Sequence, residues 1–358
     1  LQLICRAAVV IVVVALALSA RADDTFTAKT QVYADSDHTV VVSPLVAISR
    51  DAWKGGTVNA SYVADVVTSA SIDVVSNATT HMSDFRSEVT AGITQKWRAS
   101  TFSGSYIYSV ENDYSSHNVN LGVAQDFFQR NTTLALGWTV SQNAVGRTGD
   151  QSFHRSLFVT GIAATWTQTL TKKLIGQLSY TFTYDDGYQA SPYRFVPVTV
   201  DNGATTQFKV PESMPLTRFR HAFVLGLNQH VFSDSAIQGD YRFYFDNWGL
   251  ESHTIQLRYL INWKDVTLRL RERFYYQRGV SFYEPHYDEV EPFMTTDRES
   301  STFWSNLAGL KISWRLPFVH RALELEAKGD VLYIKYINYP LLPYRVGGTG
   351  ELGLNVIY

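Results

Sequence analysis

Apolar and polar positions alternate along most of the chain. Leu134, Leu136, Trp138 and Val140 are spaced by two, with Thr133, Ala135, Gly137 and Thr139 between them, which is the pattern of a strand with one apolar face. The same alternation recurs from Val58 to Val66, Phe102 to Val110, Leu174 to Tyr184, Gly239 to Phe245 and Ile255 to Trp263. Many of these runs are longer than the five or six residues, roughly, of a soluble strand, and they match the roughly 9–11 needed to cross a bilayer at a tilt.

The connections between the runs also alternate, in length. Short ones fall near Arg50 to Lys54, Ala99 to Ser100, Gln129 to Asn131, Leu170 to Lys173, Ser233 to Ser235 and Lys264 to Asp265. Those in between are mostly longer: Thr68 to Asp84, Ala144 to Ser152, Ser191 to Pro215 and Ser281 to Ser300. Short turns at one end and long loops at the other predict an all-β fold, a closed antiparallel transmembrane barrel of the outer-membrane type. The tally runs from a weak strand at Phe26 to Ala34 through a last one at Glu351 to Tyr358, about sixteen in all. In the last strand Leu352, Leu354, Val356 and Tyr358 share one face. An aromatic ending of this kind resembles the strand by which outer-membrane barrels are taken up by their insertion machinery.

Arg6, the apolar run Ala7 to Leu18 and the Ala20-Arg21-Ala22 site read as an export signal peptide cut after Ala22, leaving residues 23–358 as one barrel domain. The run is too short for a membrane-spanning helix, which needs about 20 residues. Cys5, the only cysteine, falls inside the leader, so no disulfide or thiolate metal site is expected in the mature domain.

Composition changes the picture little. With 14% aromatic and 18% charged residues the chain is not disordered. Its formal charge of -2 gives no reason to expect nucleic acid as a partner; the expected partner is outer-membrane lipid. No H-E-x-x-H, phosphate-loop, dinucleotide or G-x-S-x-G motif is present, and neither a cofactor nor an enzymatic activity is expected. Ser152 with His154, or His221, would be needed for a hydrolase on the barrel rim, and no third member of such a set is apparent.

Charge on the inward phase is where function is expected. Arg269, Arg271 and Arg273 form a ladder on one strand, accompanied by Arg218, Arg220, Asp240, Arg242, Asp246, Arg258 and Lys311, while Glu324, Glu326, Lys328 and Asp330 share a phase of the penultimate strand. Rows of opposite sign facing each other across a lumen would set up a transverse field and select ions. Alternatively, the same residues brace the barrel as paired charges. The N-terminal half places Ser, Thr, Asn and Gly inward, as at Asn59, Ser105, Asn120, Thr139 and Thr181. Glu272 falls on the outward phase, which calls for a bulge near Arg271 or a position at the membrane interface. The Ser191 to Pro215 connection is either an inward constriction or a surface loop. The acids from Glu284 to Glu299 lack the order of a calcium loop and read as a solvated loop.

Three segments resemble an uncharacterised bacterial outer-membrane family known only as a domain of unknown function: SYVADVVTSAS at 61–71, Gly187-Tyr188 with PYRFV at 192–196, and Asp297-Arg298-Glu299. The resemblance implies an outer-membrane barrel and no particular activity. Asp65, Tyr193, Arg194, Asp297 and Arg298 all fall near the long-loop ends of strands, where they would anchor loops over the mouth by pairing with one another. The expected function is a porin-like channel for small hydrophilic solutes or ions, and the rival is a plugged barrel serving as a structural or surface scaffold.

Overall fold

The computed structural model describes residues 24–69, 82–201, 205–316 and 322–357. The expected leader, Cys5 and Tyr358 lie outside them. The strands are β1 (Thr25–Asp35), β2 (Thr39–Trp53), β3 (Gly56–Ser69), β4 (Met82–Trp97), β5 (Ser100–Val110), β6 (Tyr114–Phe127), β7 (Thr132–Val145), β8 (Arg155–Thr171) and β9 (Leu174–Gly187). They continue as β10 (Phe195–Asp201), β11 (Thr205–Pro211), β12 (Thr217–Phe232), β13 (Ser235–Asp246), β14 (Glu251–Trp263), β15 (Val266–Arg278), β16 (Phe303–Leu316), β17 (Ala322–Tyr336) and β18 (Tyr344–Ile357). Sixteen of them close into an antiparallel barrel in sequence order, with β9 paired to β12 and β18 paired to β1. The two left over, β10 and β11, form a separate hairpin.

Closure leaves no unpaired edge, the condition under which strands satisfy their backbone groups in lipid. Most outward positions are apolar, with Leu136 and Val331 each 62% exposed and Leu257 53% exposed. Such faces suit hydrocarbon rather than water. Trp53, Trp97, Phe128, Phe232 and Trp263 project outward beside the short turns. A second aromatic belt near the other strand ends carries three cross-strand tyrosine–histidine hydrogen bonds: Tyr106 to His117 (2.6 Å), Tyr180 to His221 (2.9 Å) and Tyr241 to His253 (2.7 Å). Two girdles bounding an apolar band are the signature of a transmembrane barrel.

The β2–β3, β4–β5 and β14–β15 turns share an end with both termini. Arg98 and Lys264 take positive φ there, 56° and 52°, which the two-residue hairpin geometry demands. Gly55 has φ of +74°, and a β-carbon on it would lie 2.6 Å from the Lys96 carbonyl oxygen, so only glycine fits.

Glu272 departs from both readings of its sequence position. The register runs unbroken from Arg271 to Arg273, and Glu272 stands opposite Leu257 on one side and Ala308 on the other. It is an exposed carboxylate halfway along β15, on the outer face, with no bulge beside it.

A charged lumen beneath a cap

The inward charges are not arranged as two facing rows. β15 and β17 are separated only by β16, so the arginine ladder and the acids belong to one stretch of wall and meet sideways. Arg271 reaches over β16 to Asp330 at 2.8 Å. Lys328 also contacts Asp330, at 3.2 Å, and Glu351, at 3.8 Å. Glu326 is held by Lys29 of β1 and Lys311 of β16. Further round, Arg218 bonds Asp246 through Nε at 2.8 Å, Arg220 pairs with Asp185, and Arg258 pairs with Asp240. Glu324 accepts a 3.5 Å bond from Asn355.

Three of the inward arginines singled out in the sequence stand outside these pairs. Among the described residues no carboxylate forms an ion pair with Arg242, Arg269 or Arg273; Arg242 lies over the Tyr244 ring at 5.1 Å. The Nε atoms of Arg269 and Arg273 are buried without a partner. The opposite wall is mainly small and polar, with Thr139 donating to Asn120 at 2.8 Å and Asn120 donating to Ser105 at 3.2 Å, and its Arg86 is paired with Asp65 at 2.6 Å and Glu88 at 3.7 Å.

Two segments at the end away from the termini build a cap: residues 188–201 with 205–216, which include the paired β10 and β11, and residues 279–302. Gly187 opens the first with φ of +130°, and a β-carbon there would strike the backbone of Ser156. The two segments share a core in which Val196, Val198, Tyr287 and Met294 are at most 1% exposed. Backbone bonds join them, from Thr199 to Tyr287 (2.9 Å) and from Met294 to Ser213 (2.8 Å). Glu212, with its side chain fully buried, accepts from Ser191 N (2.7 Å), Thr295 Oγ1 (2.6 Å) and Arg194 (3.2 Å). Arg194 also reaches Asp297 at 3.1 Å. Burial pushes the Glu212 carboxyl above its ordinary range against the pull of Arg194 and Thr295.

The cap is tied to connections around the rim. Arg298 pairs with Asp37 in the β1–β2 turn. The Tyr193 hydroxyl donates to Asp113 in the β5–β6 turn and accepts from Thr148 N (2.6 Å) in the β7–β8 connection. Ser281 N donates to Trp248 O (2.8 Å) between β13 and β14, and Tyr283 donates to Asn338 O (3.0 Å) between β17 and β18. Segments rooted at β9–β12 and β15–β16 that also reach these points must cross the mouth. Glu299 of the cap lines a lumenal cavity of about 580 Å³ below it, together with Arg242 and Arg273.

Of the loop residues singled out in the sequence, Arg194 and Asp297 are brought together, whereas Tyr193 and Arg298 find other partners. Asp65 stays within the wall, bonded to Arg86 at 2.6 Å and to Ser43. The acidic loop is not wholly solvated: Glu284, Asp288 and Glu289 are exposed, but Asp297 and Glu299 are in ion pairs. Asp37, Asp113, Glu212, Tyr287 and Thr295 were not singled out, since each looks like ordinary loop chemistry until the register brings it to a partner. Ser152 donates to Asp150 (2.6 Å) rather than to His154, and His221 sits on the outer face against Tyr180. Among the described residues no group of three or more potential metal ligands occurs.

The fold matches solved outer-membrane barrels. A bacterial polysaccharide outer membrane secretin superposes with a TM-score of 0.54 at 9% identity, covering 94% of this chain and 99% of that one. CdiB from Acinetobacter baumannii gives 0.53 at 8% identity, covering 92% of this chain and 60% of its own. At such identity the likeness is one of fold alone. No curated protein matches the chain. The family described as "Protein of unknown function (DUF3570)" matches residues 77–329.

Proposed function

The chain belongs to the DUF3570 family of proteins of unknown function, and from that premise we propose that it is an outer-membrane channel for small hydrophilic solutes and ions that favours anions. The observation that carries this reading is the cationic surplus in the lumen: Arg242, Arg269 and Arg273 point inward without an ion pair among the described residues, whereas most acids of that wall are already paired. Barrels with 16–18 strands are wide enough to leave an aqueous channel, and an uncompensated charge on a low-dielectric wall concentrates counter-ions. In this reading the leader ending at Ala22 exports the chain, Leu352 to Tyr358 serve its insertion, and the capped end faces the exterior.

The test is planar-bilayer conductance of residues 23–358 under a salt gradient. Discrete steps with a reversal potential of anion-preferring sign support the channel. A cation preference overturns the assigned selectivity, and silence from protein shown to be folded overturns the channel. The cap favours a second reading, a closed barrel whose loops carry surface contacts. Under that reading conductance stays absent even when the Arg298–Asp37 tie is removed.

A further inference from the structure

The cavity beneath the cap has two chemically different sides. On one, Phe303 of β16, with Leu332 and Ile334 of β17, lines the cavity with apolar side chains. Phe303 and Ile334 are 6% and 5% exposed and pack with Tyr336 and Tyr339, so this is fixed structure rather than a scatter of apolar side chains. On the other side, Arg242 of β13 and Arg273 of β15 flank β14, in register with Thr254 and Gln256. Both arginines line the cavity.

The two acids of the cavity are occupied. Asp240 is paired with Arg258, and Glu299 lies 3.3 Å from Arg345 and 3.6 Å from Arg298. Arg242 and Arg273 have no such partner among the described residues. A guanidinium held in a partly dry site is costly unless an anion meets it, and its planar fork matches a carboxylate. Phe303 and Ile334 are already covered by their neighbours, whereas Leu332 is only partly buried and gains when something apolar covers it. One ligand class satisfies both sides at once, and the volume of about 580 Å³ falls within the roughly 300–1,000 Å³ of small-molecule sites.

We propose that this cavity is a binding site for organic monocarboxylates with an apolar body, the carboxylate meeting Arg242 and Arg273 and the body lying against Phe303, Leu332 and Ile334. The inference rests on the channel reading only in requiring that solutes reach the lumen. Binding is measured directly, so it stands or falls separately from conductance.

The experiment is isothermal titration of the refolded barrel in detergent with sodium phenylacetate, using sodium acetate and benzyl alcohol as half-ligands. Saturable phenylacetate binding is expected, with each half-ligand at least about tenfold weaker, a loss of about 1.4 kcal/mol. Arg242→Gln with Arg273→Gln should weaken phenylacetate at least about tenfold, Leu332→Asn should weaken phenylacetate more than acetate, and Lys54→Gln, exposed in the β2–β3 turn and outside the cavity lining, should leave it unchanged. Equal binding of acetate and phenylacetate, an undiminished affinity in the double arginine variant, or no saturable binding overturns the site. If the double variant fails to refold, Leu332→Asn and the half-ligands still decide it. A barrel that conducts but does not bind phenylacetate refutes this inference while leaving the channel intact.

Discussion

Arg271 of β15 and Asp330 of β17 form a 2.8 Å ion pair across β16, and the residue beneath their contact is Gly309, the in-register partner of both. A β-carbon at Gly309 would occupy the space of the Asp330 carboxylate. The glycine is therefore a condition of the pair rather than a weak point of the strand. Gly309→Ala should displace the carboxylate and destabilise the barrel by about 1–3 kcal/mol, the usual cost of overpacking a filled site. The midpoint of urea unfolding of the refolded barrel measures it, and an unchanged midpoint would show that Asp330 has another place to go.

The three arginines of the β15 ladder are equivalent by spacing but not by partnership. Arg271→Gln removes a partner from Asp330, which is 5% exposed, although Lys328 remains at 3.2 Å. It should cost about 1–3 kcal/mol, less than the roughly 3–5 of a fully orphaned buried charge. Arg273→Gln removes a charge with no partner to orphan, so its cost should stay within about 0.5 kcal/mol. Urea midpoints of the two variants, measured side by side, should differ in that order; equal losses would count against the pairing described.

The cap should open when its tie to the rim is cut. Arg298 and Asp37 are nearly buried, with side chains 10% and 4% exposed, so Asp37→Asn leaves a guanidinium without its counter-charge, a loss of about 3–5 kcal/mol for a buried pair. Arg298 also touches Glu299 at 3.6 Å, which reduces the loss toward the lower figure. Val198→Cys, in the buried cap core, makes opening measurable as the rate of thiol labelling. Labelling in the Asp37→Asn background should accelerate by at least about tenfold, the factor that about 1.4 kcal/mol produces. No acceleration would mean that the remaining ties hold the cap alone.

Much of this architecture is legible in the amino-acid order, and the part that is not has a definite cause. Period-two runs such as Leu174 to Tyr184 declare both a strand and its outward face, because lipid and lumen impose opposite chemistries on alternate residues. The β10–β11 hairpin is harder to read. Val196, Val198 and Val200 alternate as a strand should, but Pro197 lies among them, and proline in a strand argues for an edge, which is what β10 is. The inward arginines are equally visible in the sequence, yet which of them are paired depends on the register of β15, β16 and β17, a non-local quantity. Asp37 is obscure for the same reason: in an Asp-Ser-Asp turn it looks like a turn former, and its partner lies 261 positions away.

Glu212 should make the cap sensitive to pH. Its carboxyl is raised from the ordinary 4.5 chiefly by burial, so between that value and its raised one the folded cap holds a proton that the unfolded segment does not. Stability falls with rising pH wherever the native state binds more protons. Opening should therefore be slowest in mild acid and quicken as pH climbs through the raised value. Thiol labelling of Val198→Cys against pH, with Glu212→Gln as the reference for the reagent's own pH dependence, measures the effect. A constant ratio of the two rates across the range would remove Glu212 from the cap's energetics.

Glu272 offers a prediction of the opposite sign to most core substitutions. It lies halfway along β15 on the outer face, opposite Leu257 and Ala308, and no ion pair among the described residues offsets it. A basic residue on the lipid face at midplane costs about 2–4 kcal/mol and an acid somewhat less, so the carboxyl is a local liability in a monomeric barrel. Glu272→Leu should raise stability by about 1–2 kcal/mol relative to the parent, read as a higher urea midpoint in lipid vesicles. A lower midpoint would carry its own meaning. The carboxyl would then be gaining an interaction that one copy of the barrel does not supply, and cross-linking in vesicles at Glu272→Cys would show whether a second copy supplies it.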